Sequence, residues 1–183
     1  MKILEEIRKA RGFSSFLAAT FNLDLAWFEA LLLRQMNING VKRFVIFADS
    51  EQLSQALTDG AENLYRAGRS YLLQGVQAKA SFHPKVMLLA GENAARLYVG
   101  LQYNLEVFER FDFELGDENP PGEFSFVKRF FYDIAQKQSD FFPPILKRTL
   151  DQTFALPIFT QIAESSAPSS ILANRSPSPS AEA

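Results

Sequence analysis

The sequence predicts an α/β fold in which helices flank a mixed β-sheet. Short runs rich in β-branched and aromatic residues alternate along the chain with segments whose apolar residues recur at helical spacing. Apolar residues make up 47% of the 183 residues, and 18 residues are Phe, which is enough to build a buried core. The expected organisation is a single domain over residues 1–163, followed by a disordered tail rich in Ser, Pro and Ala over 164–183.

The first half of the chain predicts alternating helices and strands. A short helix ends at Lys9, a Phe-rich buried strand covers 13–21, and an amphipathic helix covers 23–36. The predicted buried face of that helix consists of Leu25, Phe28, Leu31, Leu32 and Gln35. Gly40 suits the position after the helix C-terminus, where a positive φ is common. A second strand ends at Asp49, which is expected to cap a helix over 51–60.

The second half predicts the remaining strands and two further helices. A third strand covers 70–78, and Lys85–Ala90 and Arg96–Gly100 form a fourth and a fifth strand. The fourth strand is apolar on both faces and is therefore expected to be central. The segment 106–115 predicts a half-exposed strand whose buried face consists of Val107, Phe111, Phe113 and Leu115. Helices follow over 123–138 and 144–154, separated by Pro143 and Pro144.

Composition excludes several kinds of site. The chain has no cysteine, so it has neither disulfides nor thiolate metal ligands. One histidine and scattered carboxylates do not make a tetrahedral zinc set, and we expect no metal and no other cofactor. The N-terminal segment lacks the apolar core of a signal peptide, and no apolar run reaches membrane-spanning length. The expectation is a soluble, cytoplasmic protein without a membrane partner.

The single histidine has a distinctive position. His83 stands two residues before Lys85, at the start of the predicted central strand. Because alternate residues of a strand share a face, we expect the two side chains to project the same way, about 7 Å apart along the backbone. An imidazole nitrogen can attack phosphorus, and a nearby ammonium group can neutralise the phosphate oxygens. The spacing alone is a weak motif, because a single histidine near a strand end is more often an ordinary, partly buried polar residue.

The segment SFHPKVMLLAGENAARLYVG, followed by NLEVF, resembles the phospholipase D superfamily, in particular its nuclease-like branch with the His-x-Lys pattern. The resemblance spans roughly residues 12–142, about one family repeat. It implies a phospholipase D-like single domain. It also implies that His83 is a nucleophile forming a phosphohistidine, that Lys85 binds the phosphate, and that Glu106 orients a histidine across the site.

The resemblance is incomplete at the second motif of the family, Gly-Ser-x-Asn. Gly100 is present, but Leu101 and Tyr103 stand where serine and asparagine are expected. Asn104 fits the downstream Asn-x-Glu motif better, so Gly100 and Asn104 are the candidate substrate-binding residues. Loss of one preorganised hydrogen-bond donor costs about 10²–10³ in rate. The aspartate of the longer lipase-type pattern is also replaced, by Ala90.

Three functions remain open from the sequence. The first is a metal-independent nuclease that acts on DNA in preference to RNA. The second is a catalytically inactive module that binds nucleic acid or serves as an assembly scaffold, and the third is a small-molecule-binding α/β domain. Residues 61–100 hold five basic and two acidic side chains, which fits either a polyanion-binding patch or an ordinary solvated surface. Because the family chemistry uses two histidines, the resemblance also implies a homodimer or a second repeat.

Overall fold

The computed structural model describes residues 3–66, 71–77, 82–100, 108–137 and 143–165. The strands in these ranges form one six-stranded mixed sheet in the order β3-β2-β1-β4-β5-β6. The strands are β1 (Ser15–Thr20), β2 (Arg43–Asp49), β3 (Leu72–Val76), β4 (Lys85–Ala90), β5 (Ala94–Gly100) and β6 (Phe108–Glu114). β1, β2 and β3 run parallel, whereas β4, β5 and β6 each run antiparallel to the preceding neighbour in the sheet. The predicted α/β class with a mixed sheet and a central β4 is confirmed.

Helices cover both faces of this sheet. They are α1 (Ile3–Lys9), α2 (Leu25–Trp27), α3 (Arg34–Ile38), α4 (Ser50–Arg66), α5 (Phe124–Lys137), α6 (Pro144–Phe154) and α7 (Pro157–Ser165). On what we call the front face, α1 to α3 pack against a core that includes Phe16, Ala18 and Tyr98. On the back face, α5 to α7 pack against a core that includes Leu17 and Leu88. Alternate residues of the central strands therefore enter two different cores, which explains why these strands are apolar on both faces.

The helical segment predicted over 23–36 is present, but its buried face differs from the prediction. A π-helical segment, Phe28–Leu33, separates α2 from α3. Because a π-turn inserts a residue relative to α-helical geometry, the residues that follow change their angular position. Leu33 and Met36 are consequently buried, while Leu31 is 43% exposed and Gln35 is half-buried. The prediction of Leu31 as a core residue was therefore wrong.

The last strand also departs from its predicted pattern. β6 forms one edge of the sheet, and Phe113 is buried on the back face as predicted. Phe108 is buried in the front-face core instead, and Leu115, which follows the strand, is 45% exposed. An edge strand at the end of a sheet is covered unevenly, so alternation along the sequence does not identify its buried positions. Val107 lies outside the described residues.

Predicted helix ends are confirmed at two positions. Asp49 Oδ1 accepts hydrogen bonds from the backbone N–H groups of Glu51 (3.0 Å) and Gln52 (3.2 Å), which caps the start of α4. Gly40 follows α3 with a φ of 97°.

Two other boundaries differ from the prediction. α4 runs beyond residue 60 to Arg66, and α7 was not predicted. Apart from Glu164 and Ser165, which end α7, the predicted tail lies outside the described residues. None of the helices in the described ranges has the length and apolar character needed to cross a bilayer.

Candidate functional site

One edge of the sheet gathers the residues that the sequence singled out. The carboxyl ends of the parallel strands β1, β2 and β3 lie there, together with the start of β4 and the end of β5. The loops at the carboxyl ends of parallel strands are the usual location of ligand sites in open α/β sheets. We call this edge the site edge. It is defined by Thr20, Asp49, Val76, Lys85, Gly100 and Phe108.

The strand register places Lys85 next to residues of β1 and β5 at the site edge. It is the first residue of β4 and lies opposite Thr20 of β1. Continuing the register of β4 and β5 brings Gly100 opposite Lys85 on the other side, and Gly100 in turn lies opposite Phe108. Lys85 is half-buried, so its aliphatic stem is covered while the strand pairing fixes its backbone.

Gly100 provides the space for that stem. A Cβ added at Gly100 would lie 2.6 Å from the Lys85 Cβ and 3.0 Å from its Cδ. Real carbon contacts are not that short, so any side chain at Gly100 would displace the lysine or spread the two strands. The sequence assigned Gly100 to substrate binding. The structure gives it a steric reason: only glycine lets the Lys85 stem lie across β5 at this point.

His83 lies at the same edge, before the first residue of β4. It is exposed, and its ring contacts the ring of Phe21 with 4.1 Å between centroids and an interplanar angle of 39°. Phe21 directly follows β1, and His83 lies shortly before β4. The contact therefore joins the two segments that extend β1 and β4 at the same end of the strand pair. An aromatic contact of this kind restricts the orientation of the imidazole while leaving it accessible to a substrate.

Phe21 is a candidate site residue that sequence reasoning missed, because its ring contacts that of His83. The available signal was its position as the last residue of the predicted buried strand 13–21. Two predicted site residues, Asn104 and Glu106, lie outside the described residues. The described part of the site therefore consists of His83 and Lys85, supported by Phe21 and Gly100.

A cavity of about 510 Å³ opens beside Lys85 on the front face. Its walls are mainly apolar and come from β1, β4, the π-helical segment and the start of β6. The apolar lining residues include Phe16, Ala18, Phe28, Leu32 and Met87. Lys85 and Asp24 are its charged lining residues among those the structure describes, and Asp24 Oδ1 accepts a hydrogen bond from the Trp27 N–H (2.9 Å).

A separate ionic network on the front face has a structural role. Arg110 donates to Asp112 and to Glu6 of α1, both at 2.6 Å, and these hydrogen bonds raise the pKa of its guanidinium group. Asp112 also accepts from Arg96. The network fastens α1 to β5 and β6. Within the ranges that the structure covers, no group of three or more His, Asp or Glu side chains is arranged to hold a metal ion.

Comparison with known proteins gives a limited result. No protein-family model matches the chain, and no curated protein matches it. Solved structures similar to it include a mutant of yeast tyrosyl-DNA phosphodiesterase, at 16% sequence identity and a TM-score of 0.49. The match covers 85% of this chain and 38% of that protein, so the chain spans well under half the length of that structure.

Proposed function

We propose that this chain is a phospholipase D-like phosphodiesterase that cleaves nucleic acid without a metal ion, with DNA preferred to RNA. The observation that carries the proposal is that His83 and Lys85 share one sheet edge, with the lysine stem held against Gly100. A nucleophilic nitrogen and a fixed cation are the two groups that phosphoryl transfer needs beside the phosphate.

In the proposed reaction, an imidazole nitrogen of His83 attacks phosphorus. An N–P bond forms, the P–O bond to the leaving group breaks, and a second imidazole gives its proton to the leaving oxygen. Water then attacks the phosphohistidine, losing a proton to that second imidazole, and the N–P bond breaks. Lys85 offsets the charge on the phosphate oxygens in both steps.

The second imidazole has to come from elsewhere, since the chain has one histidine. We propose that a twofold-related copy supplies its own His83, because a C₂ dimer is the commonest closed assembly and its interface is self-complementary. A second, C-terminal repeat of the same fold would serve the same purpose. Glu106 would orient one of the imidazoles, and Asn104 would contribute a hydrogen bond to the phosphate.

The direct test is cleavage of a labelled DNA oligonucleotide in the presence of EDTA. We expect wild-type protein to cleave it and to form an acid-labile phosphoramidate on His83, detectable by mass spectrometry after rapid quenching in base. His83→Ala should lose both signals. Lys85→Ala should reduce the rate by about 10²–10³, while the matched variant Lys42→Ala, at an exposed position before β2, should not.

A second candidate is an inactive nucleic-acid-binding module, favoured by Leu101 and Tyr103 at the expected serine and asparagine positions. It predicts DNA binding that weakens steeply with salt and does not depend on His83. Salt-dependent binding without cleavage or phosphohistidine would replace the first proposal by this one.

A further inference from the structure

The cavity beside Lys85 is not explained by nucleic-acid cleavage. A sugar–phosphate backbone is polar and charged, whereas this cavity is walled mainly by aliphatic and aromatic side chains. Its volume of about 510 Å³ falls in the range of roughly 300–1,000 Å³ that small-molecule sites occupy. Such sites combine apolar walls with a few polar groups that fix the orientation of the ligand.

The charged side chain of Lys85 lies at one end of the cavity, and the lining becomes apolar along β4 away from it. Lys85 stands at the site edge, and Met87 and Leu89 follow it on the same face of β4, towards the interior. Met87 lines the cavity, and so does Phe16 of β1, which lies opposite Leu89 in the strand pairing. The lining thus extends about 13 Å along the strand from the ammonium end, at about 3.3 Å per residue. A ligand that matches this arrangement has an anionic head and an extended apolar body.

The other charged lining residue does not reverse this preference. Asp24 caps the helical segment that begins at Leu25, through its hydrogen bond to the Trp27 N–H. The partial positive charge of the helix N-terminus offsets the carboxylate charge there.

The opposite wall is unusual in its backbone. Phe28 and Leu32 belong to the π-helical segment, and both line the cavity. π-Helical turns cost stability and recur at functional sites. The two residues are four positions apart in this segment, and their side chains face the cavity together.

We propose that this cavity binds the alkyl chain of a small single-chain anionic amphiphile, with its carboxylate or phosphate head at Lys85. This binding does not require phosphodiester cleavage, and it is measured in the absence of any phosphodiester. The two head groups share the same recognition chemistry, and the experiment compares them directly.

The chain provides its own reporter, because its single tryptophan, Trp27, lines the cavity and is 37% exposed. Trp27 emission is titrated with decanoate, decyl phosphate, decanol and acetate, below any micelle concentration. We expect saturable changes with decanoate and decyl phosphate, and none with acetate. In a series from hexanoate to decanoate, each methylene should strengthen binding about fourfold. The lower dissociation constant of the two, decanoate or decyl phosphate, shows whether the site prefers a carboxylate or a phosphate head group.

Two variants separate the head-group contact from the cavity. Lys85→Met should weaken decanoate binding about tenfold and leave decanol unaffected, while the matched Lys42→Met should change neither. Ala18→Phe should fill the cavity and abolish binding of decanoate and decanol. Met87→Trp serves the same purpose if the Ala18 variant fails to fold by circular dichroism.

The proposal is overturned by any of three results. The first is the absence of any saturable change of the wild-type protein with decanoate or decyl phosphate, which means that the cavity is closed to these ligands. The second is an equal effect of Lys85→Met and Lys42→Met on decanoate binding, which rules out the head-group contact at Lys85. The third is decanoate binding by a folded, cavity-filled variant, which places the binding site elsewhere.

Discussion

At the scale of single residues, Lys85 and Gly100 constrain each other. The lysine stem lies where any side chain at Gly100 would have to be, with 2.6 Å between a built Cβ and the Lys85 Cβ. A Cβ cannot move away by rotating a side-chain torsion, so relief requires movement of one of the strands. The glycine therefore controls the position of the cation at the site edge.

Gly100→Ala tests this relation because two effects predict opposite signs. Backbone entropy alone predicts that alanine stabilises a strand by about 0.5–1 kcal/mol relative to glycine. The contact with Lys85 predicts a loss of about 1–3 kcal/mol in the free energy of unfolding, as in other overpacked positions. We expect the loss, measured by urea denaturation. DNA cleavage should fall as well, because the ammonium group moves.

Gly122→Ala is the matched control for this substitution. A Cβ at Gly122 meets no atom within 4 Å, so we expect the free energy of unfolding of this variant to stay the same or to rise by up to about 1 kcal/mol. If Gly100→Ala were as stable and active as the wild type, the steric account of Gly100 would be wrong.

At the scale of secondary-structure elements, two tyrosines join segments distant in sequence. The Tyr71 hydroxyl, next to β3, donates to Glu29 in the π-helical segment, and the Tyr132 hydroxyl of α5 donates to Asp151 of α6. Burial, reinforced by the bonded carboxylate, raises the pKa of both hydroxyls above the ordinary value of 10.0. The folded state thus favours the neutral phenols.

The alkaline stability of the protein should reflect these two hydroxyls. Their raised pKa values stabilise the fold fully below pH 10, and this contribution is lost as the pH rises above 10, where the unfolded chain ionises first. We expect the free energy of unfolding to decrease with pH in that window, and less steeply in the Tyr71→Phe/Tyr132→Phe double variant. Ultraviolet absorbance of tyrosinate checks the assignment. Titration of both groups near pH 10 in the folded protein would contradict it.

Sequence reasoning succeeded for elements whose apolar pattern matches their burial in the folded protein. β2 and β4 are continuous apolar runs bounded by turn or capping residues, and both were predicted close to their observed limits. The π-helical segment was not predicted, because its geometry depends on packing between helix and sheet and not on helix propensity. α7 was missed although Ile158, Phe159 and Ile162 recur at helical spacing, because the helix is only nine residues long and follows α6 closely.

For the site, the sequence indicated which residues could react but not what surrounds them. His83 and Lys85 stood out through their spacing and their place before an apolar strand. The contact of His83 with Phe21 and the cavity beside Lys85 depend on the pairing of β1 with β4, which are far apart in the chain. No local pattern carries that information.

At the scale of the whole molecule, the proposed chemistry depends on assembly. A chain with one histidine can supply one of the two imidazoles, so activity should require a dimer. We expect light scattering to give twice the 20.6 kDa of one chain at micromolar concentration. Specific activity should fall on dilution as dimers dissociate, and excess His83→Ala chains should reduce wild-type activity by forming mixed dimers. A monomer with undiminished activity would contradict the shared site.

The strand order has a consequence for the connectivity of the chain. Among the described residues, β1, β2 and β3 pair with one another and meet the other strands at one place, where β1 pairs with β4. β4, β5 and β6 form a continuous meander. A chain cut between residues 77 and 82 would divide the protein into two fragments, each keeping its own internal strand pairs. Thr20 and Phe21 would belong to one fragment, and His83, Lys85 and Gly100 to the other. Reconstitution from two separately expressed polypeptides would then regenerate sheet and site in a single event, making the protein a candidate for split-protein complementation.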